Sequence, residues 1–240
     1  AATGKLKEAE QAFLQAIKIA PDALTYYNLA KAQYDLNKPA DALASIQKAV
    51  ELSPGTALYQ YQQGLIAIQN NNTDLAISSY AKAAELNKTY VEPRINLGII
   101  YLESGFVDKA LAILEEAYKI NPKSLEANNN LGNAYGKKGL FEKSVFYYEN
   151  ALALAPRDAT IRLNLARAYV QAGNNEKARD TYVELIKLNP SSWDAMYELG
   201  KLYITMGDKE NAKKVLTELL AKNPDYAKKS EVQSILSSLK

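Results

Sequence analysis

The chain repeats itself every 34 residues, and a period of that length constrains the fold more than any local propensity does. Leu97-Gly98, Leu131-Gly132, Leu165-Ala166 and Leu199-Gly200 are each followed, three residues on, by a tyrosine: Tyr101, Tyr135, Tyr169 and Tyr203. The same step carries Gly105 to Gly139, Gly173 and Gly207. It also carries Ala110 to Ser144, Ala178 and Ala212, and Pro122 to Pro156, Pro190 and Pro224. Extended backwards it meets Leu29-Ala30, Asn37, Ala42, Ala49 and Pro54, then Gly64, Asn71, Ala76 and Ala83.

Each repeat has a physical reading. An apolar-periodic helix ends at Gly or Asn, residues that tolerate the left-handed backbone closing a helix. A second helix then runs to a proline that cannot continue it. The product is a helical hairpin. A glycine inside the first helix costs roughly 1 kcal/mol relative to alanine, so Gly64, Gly98, Gly132 and Gly200 need a compensating gain. The expected gain is close helix approach, with the glycine opposite Ala or Ser of the second helix and the tyrosine filling the space beside them.

Composition narrows the function. In 240 residues, 29 Lys and Arg stand against 27 Asp and Glu with no basic run, so nucleic-acid binding has no electrostatic support. There is no cysteine and no histidine. Thiol nucleophiles, Cys or His metal sites and histidine acid-base chemistry are therefore excluded, and neither a metal nor a cofactor is expected. Carboxylates such as Glu115 and Glu116 read as solvated faces of second helices, and an enzyme is the least favoured class. No apolar run approaches the roughly 20 residues of a membrane span. The opening AATGKLKEAE lacks the regions of a signal peptide, although a cleaved leader would leave the same appearance. Absence of cysteine fits either a reducing or an oxidising compartment; the Lys-rich and Asn-rich usage hints at a bacterial source, with the compartment, cytoplasm or periplasm and envelope, left open.

At these residues the sequence resembles the tetratricopeptide repeat (TPR) family, whose signature is W-x2-L-G-x2-Y, then A-x3-F, then P in a 34-residue repeat. The resemblance implies an all-α fold, a right-handed α-solenoid of stacked helix-turn-helix hairpins. Six repeats are expected at 23–56, 57–90, 91–124, 125–158, 159–192 and 193–226, after a partial repeat at 1–22 with a lone second helix from Lys5 to Ile19. The family tryptophan is replaced by Tyr26, Gln60, Arg94, Asn128, Arg162 and Met196. Residues 57–90 are the poorest match, with Ala67 for the tyrosine and Lys88 for the proline, and are expected to be the softest joint. Residues 227–240, with Val232, Ile235, Leu236 and Leu239 on one face, read as a polar capping helix.

In the family, positions 2, 5, 6, 9, 12 and 13 of each repeat line the concave groove. Position 6 here reads Asn28, Gln62, Asn96, Asn130, Asn164 and Glu198. A carboxamide offers one acceptor and two donors, the complement of a peptide unit, so a spaced row of them suits an extended backbone. The stretch NNNLGNAY adds Asn129 and Asn133 at positions 5 and 9. Together these resemble the asparagine ladder in the superhelix of O-linked N-acetylglucosamine transferases. The alternative is that asparagine persists at position 6 because it is polar and compatible with stacking.

A second feature is an apolar patch of Tyr61, Leu65, Ile68, Ile95, Ile99 and Leu102. It marks either a partner site or a surface covered by neighbouring helices or by a preceding one. Farther along, Lys137, Arg167 and Lys201 face Glu126, Asp194 and Glu198, so a ligand apolar at one end and polar at the other would fit. The carboxylate clamp of some family members is excluded, because Asp194 and Glu198 stand where its cations belong, although Asn129, Asn133 and Asn164 begin a match. Tyr80, Tyr101, Tyr135, Tyr148, Tyr169, Tyr182 and Tyr203 read as core, whereas Tyr27, Tyr34, Tyr61 and Tyr197 are groove-facing anchors. The expected function is a non-enzymatic scaffold binding a protein or peptide partner. The alternatives are a substrate-targeting region of a larger enzyme, such as a glycosyltransferase, and a bacterial envelope or pilus assembly factor. The sequence leaves the oligomeric state open.

Overall fold

A computed structural model describes residues 2–239 and contains fourteen helices and no strand among them. The chain divides into two compact units, Ala1–Pro122 and Lys123–Lys240. The first holds α1 (Ala2–Ile19), α2 (Ala23–Asp35), α3 (Pro39–Leu52), α4 (Ala57–Gln69), α5 (Thr73–Leu86), α6 (Val91–Glu103) and α7 (Val107–Ile120). The second holds α8 (Leu125–Lys137), α9 (Phe141–Leu154), α10 (Ala159–Gln171), α11 (Asn175–Leu188), α12 (Trp193–Thr205), α13 (Lys209–Lys222) and α14 (Lys229–Ser238). Helices pair as hairpins, α2 with α3 and α4 with α5 in the first unit, α8 with α9 and α10 with α11 in the second, and within each unit neighbouring hairpins stack, through α3 on α4 and α5 on α6 in the first and α9 on α10 and α11 on α12 in the second. The result is an all-α solenoid of helical hairpins. None of the described helices is long and apolar enough to cross a membrane.

The turns are built alike. Asn37 and Asn71 have φ of 57°, and Gly105, Gly139, Gly173 and Gly207 lie between 75° and 80°. Each left-handed residue reverses the chain so that the next N–H donates to a carbonyl in the last turn of the first helix. Phe106 N–H bonds the Tyr101 carbonyl at 2.8 Å, Leu140 that of Tyr135 at 2.9 Å and Asp208 that of Tyr203 at 2.8 Å. This Schellman closure satisfies carbonyls that would otherwise be stranded at the helix end. Second helices in turn start on side-chain caps at Asn72 and Asp208, whose carboxamide and carboxylate oxygens accept from Leu75 and Asn211 N–H.

Helix packing differs from the small-on-small approach expected from the sequence. A Cβ on Gly98 would lie 2.5 Å from Leu114 Cγ, and one on Gly64 would lie 2.4 Å from the Tyr80 ring. Gly132 meets the Tyr148 ring and Gly200 meets Leu216 in the same way. The glycine therefore receives a large side chain sixteen residues on, while Ala76, Ala110 and Ala212 are buried elsewhere in the interface. Its helix-propensity cost is offset by the fully buried Tyr80, Leu114 and Leu216.

The position of the family tryptophan is also used differently. Arg94 is 5% exposed, and its guanidinium donates to the Tyr90 carbonyl at 2.8 Å, to the Ala84 carbonyl at 3.1 Å and to Glu116 at 3.3 Å. Arg162 does the same work with the Pro156 carbonyl and, at 2.7 Å, with Glu184. A planar fork of donors thus ties a first helix to the end of the preceding second helix, where an indole would offer a single N–H.

Two measurements follow from this packing. Gly98→Ala should gain roughly 1 kcal/mol of helix propensity yet lose more, about 1–3 kcal/mol, to overpacking against Leu114. A lowered urea midpoint is expected, and a raised one would mean that Leu114 yields freely. Burial pushes the Tyr148 hydroxyl up to about 12 and raises Tyr80 and Tyr182 as well. The unfolded chain therefore releases these protons first, near pH 10. Stability should be level below about pH 10 and fall as pH rises towards about 12. An unchanged urea midpoint at about pH 11 would contradict this.

Candidate functional site

The first helices of neighbouring hairpins touch, α2 with α4 in the first unit and α8 with α10 in the second, so their outward residues share one face in each.

In the first unit that face opens into an apolar cavity of about 390 Å³, lined by Tyr34, Leu65, Ile68, Tyr80, Asn96, Ile99 and the carboxylate-bearing Glu103 among others. Tyr61 lies beside it, packed on Tyr80 and Tyr90 with ring centroids 5.8 Å and 5.1 Å apart. Asn96 Nδ2 sits 3.4 Å from the Tyr61 hydroxyl, a long bond. Burial raises the Tyr61 hydroxyl, and the Asn96 contact lowers it in part. Asn28 is half-buried at the same register.

Three of the sequence-chosen residues here offer little surface. Gln62 is 7% exposed, Ile95 6% and Leu102 5%. Ile95 and Leu102 stand two turns apart on one stripe of α6, and that stripe is covered, so they contribute to packing rather than to an open patch. The apolar surface that remains open is made by Tyr61, Leu65, Ile68 and Ile99, with Ile68 the most exposed of the four.

In the second unit the face is polar. A cavity of about 260 Å³ is lined by Asn133, Gly136, Lys137, Asn164, Arg167 and Gln171, over a floor formed by Ser144 and Tyr148. Another, of about 330 Å³, lies beyond Arg167 and includes Tyr182, Glu198, Lys201 and Leu202. Between them Arg167 grips Glu198 through Nε at 3.0 Å to both carboxylate oxygens and Nη2 at 2.6 Å. That bond holds the guanidinium above its ordinary range. The Tyr182 hydroxyl donates to the same carboxylate at 2.6 Å and is raised by burial first and by that bond second. Glu198 is therefore engaged within the protein and is not an open rung.

The asparagines of NNNLGNAY separate. Asn128 is fully buried and donates to the Ser124 carbonyl at 2.8 Å. Asn129 is half-buried, with its Oδ1 enclosed and lacking a hydrogen-bond partner among the described residues. Asn130 Nδ2 donates to the Glu126 carbonyl of its own helix at 2.8 Å. Asn133 is exposed, and it shares its cavity with the half-buried Asn164. Tyr197, expected as a groove anchor, is 3% exposed. It packs on Tyr226, and its hydroxyl donates to Glu231 of α14.

Sequence reading missed Tyr80, Gln69, Glu103, Gly136 and Gln171 as cavity residues. For Gly136 the signal was present, since the other repeats carry Tyr34, Ile68, Leu102, Val170 and Ile204 at its register.

Comparison with known proteins agrees with the architecture. Tetratricopeptide repeat profiles match residues 1–22, 27–90, 129–192 and 163–227, and a TPR repeat profile matches residues 98–139. Among curated proteins there is no match. Among solved structures, the C-terminal part of a TPR repeat-containing protein from Cytophaga hutchinsonii is similar with a TM-score of 0.80. It is 20% identical, over 95% of this chain and 94% of that one. YrrB, described as a TPR protein with an unusual peptide-binding site, has a TM-score of 0.71 at 20% identity, over 79% of this chain and 97% of its own. PilF of Pseudomonas aeruginosa has a TM-score of 0.69 at 18% identity, over 96% and 99%. At such identities the likeness is one of fold, whereas the repeat profiles span most of the sequence, and the chain belongs to the tetratricopeptide repeat family.

Proposed function

We propose that the protein is a non-enzymatic interaction scaffold that holds an extended peptide, or an extended segment of a partner, along the first helices of its hairpins. The observation that carries this reading is that the same register position opens onto a cavity in both units, Asn96 in the first and Asn164 in the second. A carboxamide beside a cavity can bond a passing backbone while the cavity takes a neighbouring side chain. Asn28, Asn130, Asn129 and Asn133 extend the polar row within their units. Gln62 and Glu198 contribute less, one being buried and the other paired. The open apolar residues Tyr61, Leu65, Ile68 and Ile99 would seat an apolar side chain. The fold shared with YrrB, named for its peptide-binding site, supports the reading at the level of architecture. A recruiting region of a larger enzyme, or an envelope assembly factor, would use the same face.

The test is selection of peptides from a random display library, followed by binding titrations with Asn28→Ala/Asn96→Ala and Asn130→Ala/Asn164→Ala. Two lost hydrogen bonds at about 0.5–1.5 kcal/mol each predict roughly tenfold weaker binding in at least one variant, with the helical signal unchanged. If both variants bind the selected peptides as the unaltered chain does, the asparagines are structural, and the reading must move to the apolar residues around Ile99.

A further inference from the structure

The polar cavity of the second unit has a cause that can be named. At its register the other repeats carry Tyr34, Ile68, Leu102, Val170 and Ile204, and here the residue is Gly136. A Cβ at Gly132, one turn earlier, would collide with the Tyr148 ring at 2.8 Å. One at Gly136 would find only Ser144 Oγ at 3.2 Å and then Gln171 Oε1 at 3.9 Å. The first glycine is thus filled by a large side chain, whereas the second is approached closely only by the small Ser144 hydroxyl. The residue behind it differs as well, because Ser144 replaces the alanine found at Ala42, Ala76, Ala110, Ala178 and Ala212. Its hydroxyl donates to the Gly132 carbonyl at 2.7 Å and stands at the floor of the cavity beside Gly136.

The groups around that space are two cations and three carboxamides, above the Ser144 hydroxyl. Lys137 has no hydrogen bond or ion pair among the described residues, and the carboxamides of Asn133, Asn164 and Gln171 have none either. Arg167 is fixed by Glu198 through Nε and Nη2, which leaves Nη1 unbonded. Among the described residues no carboxylate lines the cavity, and Glu198 lies in the cavity on the other side of Arg167. A pre-positioned arginine, a free ammonium and three amide groups, with no acid among them, complement an anion that only accepts hydrogen bonds.

We propose that this cavity is a specificity subsite for an aspartate or glutamate side chain of the bound peptide. It rests on the peptide reading given above and adds the chemistry that the peptide must carry. The carboxylate enters over Gly136 between Lys137 and Arg167, with Asn133 and Asn164 beside it to hold the adjoining backbone. Arg167 is shared rather than taken from Glu198, because the incoming group uses the half of the guanidinium that Glu198 leaves unbonded. The site differs from the family's carboxylate clamp in its cations, which here stand at positions 13 and 9 of adjacent repeats.

The experiment uses the full chain and peptides enriched on it from a random library. Three versions of one enriched peptide are titrated, carrying Glu, Gln or phosphoserine at the acidic position, together with a C-terminally amidated form. The protein variants are Lys137→Gln and Gly136→Leu/Ser144→Ala. The latter restores the large and small pair found in the repeat of Leu102 and Ala110. Leucine and alanine both favour helix, so the double variant should melt no lower than the unaltered chain. The expected result is about tenfold weaker binding of the Gln peptide than the Glu peptide, a difference that shrinks with added salt and vanishes in the double variant. Lys137→Gln should remove most of it without altering the fold, so the test stands even if the double variant melts early. Enriched peptides without acidic preference, or an equal Glu-over-Gln difference in both variants, would overturn the subsite and leave the peptide reading intact. A phosphoserine peptide bound far more tightly than Glu would reassign the site to phosphate, and loss of binding on amidation would reassign it to a terminal carboxylate. Failure to enrich any peptide would overturn both readings.

Discussion

The structure depends on one contact repeated along it, a small residue of the first helix against a large side chain sixteen residues later. Tyr80 on Gly64, Leu114 on Gly98, Tyr148 on Gly132 and Leu216 on Gly200 each bring the two helices of a hairpin close. Dispersion falls away over a fraction of an ångström, so a gap at this point would lose much of the interface. The left-handed turns then need to do little more than reverse the chain. Because the helix pair is fixed by this contact, the outer stripe of each first helix is free to be polar, apolar or charged without altering the hairpin.

That freedom is used differently in the two units. In the first, tyrosines and aliphatic residues surround Asn96, and Glu103 is the carboxylate at the cavity wall. In the second, amides and cations surround Asn164, and the Arg167–Glu198 pair divides the face into two cavities. Exposed ion pairs contribute little to stability, but this one is held by three bonds and a tyrosine hydroxyl, so it fixes the guanidinium in place. Asn96 and Asn130 are occupied by weak or local bonds that a ligand backbone would have to replace, while Asn133 and Asn164 carry none among the described residues.

Much of the fold was legible in the chain because its punctuation has few physical solutions. A residue at φ near 57° or 79° is comfortable only as asparagine or glycine, so Asn37, Asn71 and Gly105 mark their turns in the letters themselves. What fills the space beside Gly98 was not legible. That depends on how the two helices are rotated about their axes, and both Leu114 and Ala110 are candidates in the sequence. The same ignorance of rotation explains Gln62, Ile95, Leu102 and Tyr197, which share a register with open residues yet lie under neighbours. The Gly136 cavity could have been found by setting the repeats side by side and asking which one lacks a side chain at position 12.

Arg94 and Arg162 give the stack a mechanical character that a tryptophan would not. An indole wedged between helices resists separation through contact area, which can slide and re-seat in many arrangements. A guanidinium bonded to the Ala84 or Pro156 carbonyl has one bonded arrangement, and a small rotation breaks it. Those junctions therefore behave as keyed joints rather than greased ones. Under tension or torsion they should hold their angle and then let go abruptly, whereas the junction beneath Met196, whose side chain packs in an apolar cluster, can creep.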